Sequence, residues 1–286
     1  MKRNLQSKTS MIFIMLVLIL FAIVLVFPLV YMLANSFMSG KEILSHYNDI
    51  LHASGNPISF HLIPDQLSLE GFYQVFLRQP DYLMKFWNSL LISTCIVIGQ
   101  LFVSCLAGYA FAKFRFPFRN GLFFIYIVFM MLPYLVTLLP NYMVLRTIGL
   151  LDNVVALILP GIFSPFGVFL MRQSIVRTPN EIIEAGKLDG ARRGAILFKI
   201  VLPQCRTGIV ALVILAFVDS WNMVEQPLIM LQDARKYPLS VFLTLVGQQR
   251  LDLLFVCGLL AMIPAVLLFL FFEDEFVSGI EYMGLQ

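Results

Sequence analysis

The sequence predicts an all-α membrane protein with six transmembrane helices, and three observations predict it. Only 13% of the residues are charged and 59% are hydrophobic, where soluble domains carry roughly 25% charged residues. Several apolar runs approach the roughly 20 residues that a helix needs to cross the hydrocarbon core. Those runs do not alternate apolar and polar side chains, as the strands of a membrane barrel would.

The elements follow in order. The first span, about 11–34, comes after MKRNLQSK. It is too long for the apolar region of a signal peptide, and no small-residue cleavage site follows, so a retained helix is expected. A long outer loop, about 35–85, holds the turn signals HASGNP (52–57) and IPDQLS (63–68). Its histidines, His46, His52 and His61, are irregularly spaced and suit solvent-exposed loop positions better than a metal site. The second span, 86–112, is joined to the third, 121–143, by KFRFPFR (113–119). The two prolines of PYLVTLLP (133–140) are expected to kink or end the third span near its outer end. The fourth, fifth and sixth spans cover about 153–172, 205–227 and 252–272, and the whole chain, 1–286, reads as one transmembrane domain.

Basic residues set the orientation. Thirteen Lys and Arg fall before the first span, in 113–119 and in 172–206, against seven on the other side. The richer side is expected to be cytoplasmic, with both termini inside. The acidic EDEF (273–276) stands where that rule favours cations, but acids carry little weight in it.

Several functions have no support. A net charge of +3 gives no footprint for nucleic acid. Cys95, Cys105, Cys205 and Cys257 form no CxxC or metal spacing and read as small packing residues. No GxxxxGK[ST], HExxH or GxSxG is present, so the chain offers no nucleotide site, metal, cofactor or catalytic residue of its own, and enzyme activity is not expected.

One segment does not suit a lipid-facing position. TPNEIIEAGKLDGARRGAILFKIVLP (178–203) is densely charged yet lies between two apolar runs. Thr178, Pro179 and Glu181 form a capping-box pattern that predicts a helix to about Leu188. Asp189-Gly190 breaks it, because glycine tolerates the positive φ of a tight bend. A second short helix is expected through about Ile200, ended by Pro203. Small Ala185 and Ala191 permit close approach, Glu184 and Asp189 can pin the turn, and Ile182, Leu188, Phe198 and Ile200 offer apolar surface. The residues alone leave two readings open, a docking knob and an amphipathic helix lying on anionic lipid.

Span five carries acids, which are costly in a membrane and usually face a cavity or a partner. At 100° per residue, Asp219, Asn222 and Gln226 share a face, and Trp221 and Glu225 are neighbours four apart. Amides, carboxylates and an aromatic face are the groups that hold sugars. These five residues are therefore candidates for substrate or pore contact, although they could equally shape the outer helix end or pair across a dimer. Tyr134, Asn141, Tyr142 and Ser164 could also line a pore, although packing and interface anchoring account for them more readily.

The segment EAGKLDGARRGAILFKIVLP resembles the EAA loop of ABC-importer permeases through Glu184, Ala185, Asp189, Gly190, Ala191, Phe198 and Pro203, with Gly186 where a second Ala is usual. Further stretches are similar to the carbohydrate-type permeases, the subfamily of the maltose-system G subunit: FHLIPDQLSLEGFYQVF (60–76), NSLLIS (88–93), AGYAFAKFRFPFRNGLFF (107–124), SWNMVEQPLIML (220–231), YPLSVFL (237–243) and FVSGI (276–280). Where that family often has Asp directly after WN, this chain has Met223. The resemblance implies a type I importer-like fold in the bacterial inner membrane, with the EAA loop as a cytoplasmic helix-turn-helix that docks on an ATPase. It also implies a heterodimer with a second permease, two cytoplasmic ATPase subunits that bind ATP and Mg, an extracytoplasmic solute-binding protein, and a carbohydrate substrate. Two alternatives accompany it: an ion- or proton-coupled carrier that titrates Asp219 and Glu225, and, within the family, import of a non-sugar solute such as a glycerol-phosphate compound.

Overall fold

The computed structural model describes residues 2–52, 63–78 and 80–275, and these are helix and connecting turns with no strand. The turn expected at 52–57 and the tail 276–280 lie outside the described residues, apart from the backbone of His52, as does His61. Among the described residues, four helices are long and apolar enough to cross a membrane: Met11–Ser36, Asp81–Lys113, Val155–Val176 and Leu251–Phe271. Two bent pairs, Arg119–Met130 with Tyr134–Thr147 and Arg193–Gln204 with Arg206–Trp221, bring the count to six if each is one span. The contacts sort into two compact units.

The first unit takes the chain up to Tyr82 together with Leu243–Met262. The most apolar stretch of Met11–Ser36 is 0% buried, so its side chains present hydrocarbon along the whole length, as a lipid-facing span requires. Polar bonding begins only at its end. Tyr31 Oη donates to Tyr47 Oη at 2.8 Å, Tyr47 Oη donates to Asn35 Oδ1 at 2.9 Å, and Asn35 Nδ2 donates to the Tyr31 carbonyl. Ile43 and Tyr47, four apart on Gly40–His52, bury themselves with Met38 against Tyr31, Leu251 and Phe255. Arg250 forks onto Asp252 at 2.8 and 2.9 Å and reaches Gln74 at 3.0 Å.

The second unit, Leu83–Phe242 and the chain from Ile263, holds both candidate sites. Its helices approach closely where residues are small. A Cβ at Gly108 would meet the Arg172 nitrogen and the Met171 Cβ at 2.9 Å, so glycine sets the separation of the second and fourth spans. Cys105, Tyr109, Met171, Ile175, Ile183, Ile196, Leu197, Val201, Cys205 and Leu212 make one buried cluster. As expected, Cys105 and Cys205 are packing residues.

The other end is tied by polar contacts. Buried Lys85 donates to the Ala234 carbonyl, Asn88 Nδ2 to the carbonyls of Arg235 and Tyr237, and the Leu239 N–H to Ser89 Oγ. Asp152 Oδ1 accepts the N–H groups of Gln232 and Asp233 at 3.0 Å, and Lys236 Nζ stands 2.9 Å from Oδ2. Those bonds hold the Asp152 carboxyl down at about 2: the Asp233 N–H contributes most, then the Lys236 ammonium and the Gln232 N–H.

The breaks have local causes. The fifth span, expected to run unbroken over 205–227, ends its helix at Trp221 and resumes at Glu225–Met230. Pro227 has no N–H to give the Met223 carbonyl, and Ser240 Oγ donates to that carbonyl instead. Asn222 turns its side chain back to the Val218 carbonyl at 2.8 Å and satisfies the end of the preceding turn. Pro133, in extended conformation at φ −58° and ψ 133°, separates the halves of the third span, which bend by 103°. The acidic end also finds a partner, since Glu275 pairs with Arg206.

Candidate functional site

The charged segment folds as two short helices joined by a glycine turn. The first, Asn180–Leu188, starts two residues beyond Thr178, so the predicted capping box does not form. Pro179 is extended at ψ 140° and takes the cap position, while Thr178 turns inward, with Oγ1 3.8 Å from the Cys205 sulfur. The first turn is held from outside the helix instead. Lys113 Nζ donates to the Thr178 carbonyl at 2.6 Å and to Asn180 Oδ1 at 3.0 Å.

The turn matches its prediction. Gly190 has φ +78°, its N–H donates to the Lys187 carbonyl, and the Ala191 N–H donates to the Gly186 carbonyl. This pair of bonds is a Schellman motif, which the left-handed residue makes possible. The chain then runs through Arg193–Ala195, a π turn over Ile196–Val201, and Leu202–Gln204, before the 83° bend into Arg206–Trp221.

One face of this knob is rooted and the other is open. Ile183, Gly186, Ile196, Leu197 and Val201 are buried. Glu184, Ala185, Asp189, Gly190, Phe198 and Pro203 are exposed, and Ala191 is half-buried. Leu188 is 89% exposed and Phe198 51%, which leaves apolar surface on a polar knob. Ile200 does not share that exposure. It packs over Gly186, where a Cβ would stand 2.7 Å from its Cδ1. Beside the knob, Lys113, Arg115, Arg119, Lys187 and Arg193 line a basic cleft of about 890 Å³ with Glu184 as its one acid.

The second site is a cavity of about 1040 Å³ in the same unit. Asp219, Asn222, Glu225 and Gln226 all line it, although the helix breaks between them. The face that the wheel predicts for Asp219, Asn222 and Gln226 survives the break, since all three reach the wall. Trp221 is not brought to the cavity wall. It is 6% exposed, stacked on Phe217 at 5.3 Å and edge-on to Phe86 at 5.8 Å, so its ring serves packing. Tyr134, Asn141 and Ser164 line the wall, whereas Tyr142 does not. Gln100 and Thr137 also line it and were missed from the sequence. An amide in the middle of an otherwise apolar run was the available signal for Gln100.

Among the described residues, one group could meet a metal ion: ligand atoms of Glu42, His46 and Asp65 lie within 4.8 Å of one another. The Glu42 carboxylate already accepts the Asp65 N–H at 2.8 Å, and exposed acids gather in this way without an ion.

Known proteins resemble this chain over most of its length. The model of the family described as binding-protein-dependent transport system inner membrane component matches residues 100–281, which hold the knob and most of the cavity wall. The chain belongs to that family. The arabinooligosaccharides transport system permease protein AraQ of Halalkalibacterium halodurans is 31% identical over 98% of this chain and 99% of its own length. The sn-glycerol-3-phosphate transport system permease protein UgpE of Agrobacterium fabrum is 30% identical over 93% of this chain and 94% of its own. Among solved structures, a bacterial ABC transporter involved in the import of the acidic polysaccharide alginate matches with TM-score 0.79 at 20% identity, over 94% of this chain and 97% of that one. A second alginate transporter structure, in complex with a pentasaccharide-bound periplasmic protein, matches with TM-score 0.64 at 15% identity, over 93% of each chain. The protein is thus an inner-membrane permease subunit of an ABC importer, a transport protein and not an enzyme, and the ion-coupled carrier reading falls away.

Proposed function

We propose that this permease forms half of the translocation pore of an ATP-driven, binding-protein-dependent importer of oligosaccharides. The observation that carries the reading is the knob: a helix-turn-helix rooted by Ile183, Gly186, Ile196 and Val201 that presents Glu184, Ala185, Leu188, Asp189 and Phe198 to water. An amphipathic helix on lipid would lay its apolar side chains in the interface. Here the apolar root is used by the protein core, and the open face mixes acid, alanine and large apolar groups, which suits a protein socket. The socket belongs to a cytoplasmic ATPase that binds ATP and Mg²⁺, two copies per complex. A second permease completes the pore as a heterodimer, and an extracytoplasmic binding protein delivers the solute. Both termini and the knob lie on the cytoplasmic side, where thirteen of the twenty Lys and Arg fall.

The carbohydrate class rests on the cavity, whose size lies at the upper end of the roughly 300–1,000 Å³ of ligand sites and whose wall mixes aromatic rings with amides. The relative named for arabinooligosaccharides supports the same class. The test is purification of the subunit with its gene neighbours, followed by ATPase measurement with binding protein and candidate glycans. Turnover that rises only with glycan-loaded binding protein is the expected result. Purification without an ATPase, or stimulation by glycans in the absence of binding protein, would contradict the reading.

A further inference from the structure

The charges on the cavity wall bear on a choice that the relatives leave open, between neutral and anionic solutes. Among the described residues, twenty-five line the cavity; its charged members are Asp219 and Glu225, and none of the twenty-five is Lys, Arg or His. Both acids are exposed to it, one at the end of Arg206–Trp221 and the other at the start of Glu225–Met230. The cations of this unit gather elsewhere. Lys113, Arg115, Arg119, Lys187 and Arg193 line the cleft beside the knob, while Lys85 and Lys236 are bound to carbonyls.

We propose that Asp219 and Glu225 form an acidic filter that admits neutral glycans and excludes those bearing carboxylate, sulfate or phosphate. The inference rests on the importer reading above and narrows its substrate class. Carboxylate oxygens accept hydrogen bonds from sugar hydroxyls and need no cation on the ligand. The amides of Asn141, Asn222 and Gln226 can both donate and accept, which matches hydroxyl groups better than an anion. Phe163 and Phe166 give the wall apolar faces for the C–H surfaces of a pyranose or furanose ring. A uronate or phosphate entering the same space would meet two like charges and no counter-charge from this chain, in a wall too apolar to screen them well.

The test reads the charge of the cavity directly, in the complete complex with its partner permease. Thr137, a wall residue, is replaced by Cys in a background where the one exposed native thiol is removed by Cys95→Ser. Labelling rates are then compared for a cationic and an anionic methanethiosulfonate, each normalised to its rate with free cysteine. The filter predicts that the cationic reagent reacts about tenfold faster, the order that two nearby carboxylates produce, and that Asp219→Asn with Glu225→Gln brings the ratio close to one. Val144→Cys, also on the wall, repeats the measurement should Thr137→Cys fail to assemble. A ratio near one in the native-charge protein, a ratio unmoved by the double substitution, or no labelling at all would overturn the proposal. Failure of the importer reading has a different signature, in which the charge ratio holds while no glycan of any kind stimulates the ATPase.

Discussion

At Gly186 a Cβ would stand 2.7 Å from Cδ1 of Ile200, the mobile tip of a side chain rather than backbone. An alanine there is expected to be nearly neutral, because its better helix propensity, up to about 1 kcal/mol, offsets the shift of Ile200. Gly186→Leu has no such escape and is expected to cost roughly 1–3 kcal/mol and to weaken co-purification of the ATPase, which thermal unfolding and pulldown would read together. Asp152 gives a pH-dependent prediction. Its folded pKa is depressed to about 2, so its contribution is fully present above the unfolded value near 3.9 and is lost as pH falls toward 2. The melting-temperature gap between the native protein and Asp152→Ala is expected to be constant from pH 8 to 5 and to narrow below pH 4. A gap that widened on acidification would contradict the bonding described for Asp152. Residue identities were legible in the sequence where a single backbone angle decides, as at Gly190, and illegible where a neighbour decides. Nothing local told that Thr178 would turn toward Cys205, or that Trp221 would find Phe217 and Phe86.

Among the elements, hydropathy located the runs but not their directions. Residues 121–143 read as one apolar stretch, yet the chain bends by 103° around Pro133, and the turn before the fifth span bends by 83° at Cys205. A bend leaves mean hydropathy unchanged, so only the prolines marked these places, and they gave no angle. The start of the second span was also missed, since Pro80–Lys113 begins with a polar turn whose Lys85 is buried against the Ala234 carbonyl. Close packing makes the second and fourth spans sensitive at one point. Gly108→Leu drives a side chain into the backbone of Met171 and Arg172 and is expected to cost about 1–3 kcal/mol or more, seen as a lower melting temperature of the purified complex. The knob is sensitive in a different way. Gly190→Pro cannot adopt φ +78° and removes the N–H that bonds Lys187. It is expected to abolish transport while membrane insertion is retained, and wild-type uptake from that variant would contradict the coupling role.

At the level of the whole molecule, the two sites occupy different parts of the second unit and share the fifth span. The knob leads through Val201 and Cys205 into Arg206–Trp221, and that helix ends at the residues that line the cavity. A push on the exposed face around Leu188 and Phe198 therefore has a covalent route to Asp219 and Asn222. The sequence announced both ends of this route, the knob by its charge between apolar runs and the cavity by its intramembrane acids. It did not announce that the route is one bent element, because Pro203 marked a helix stop near Cys205 and gave no angle. The most direct test of the account is the ATPase rate of the complete complex in liposomes, with glycan-loaded binding protein, before and after Gly190→Pro in this subunit. The account predicts stimulation by loaded binding protein in the native complex, and a variant that still assembles in the membrane but is no longer stimulated. Equal stimulation in both would mean that the knob does not carry the signal between solute and ATPase.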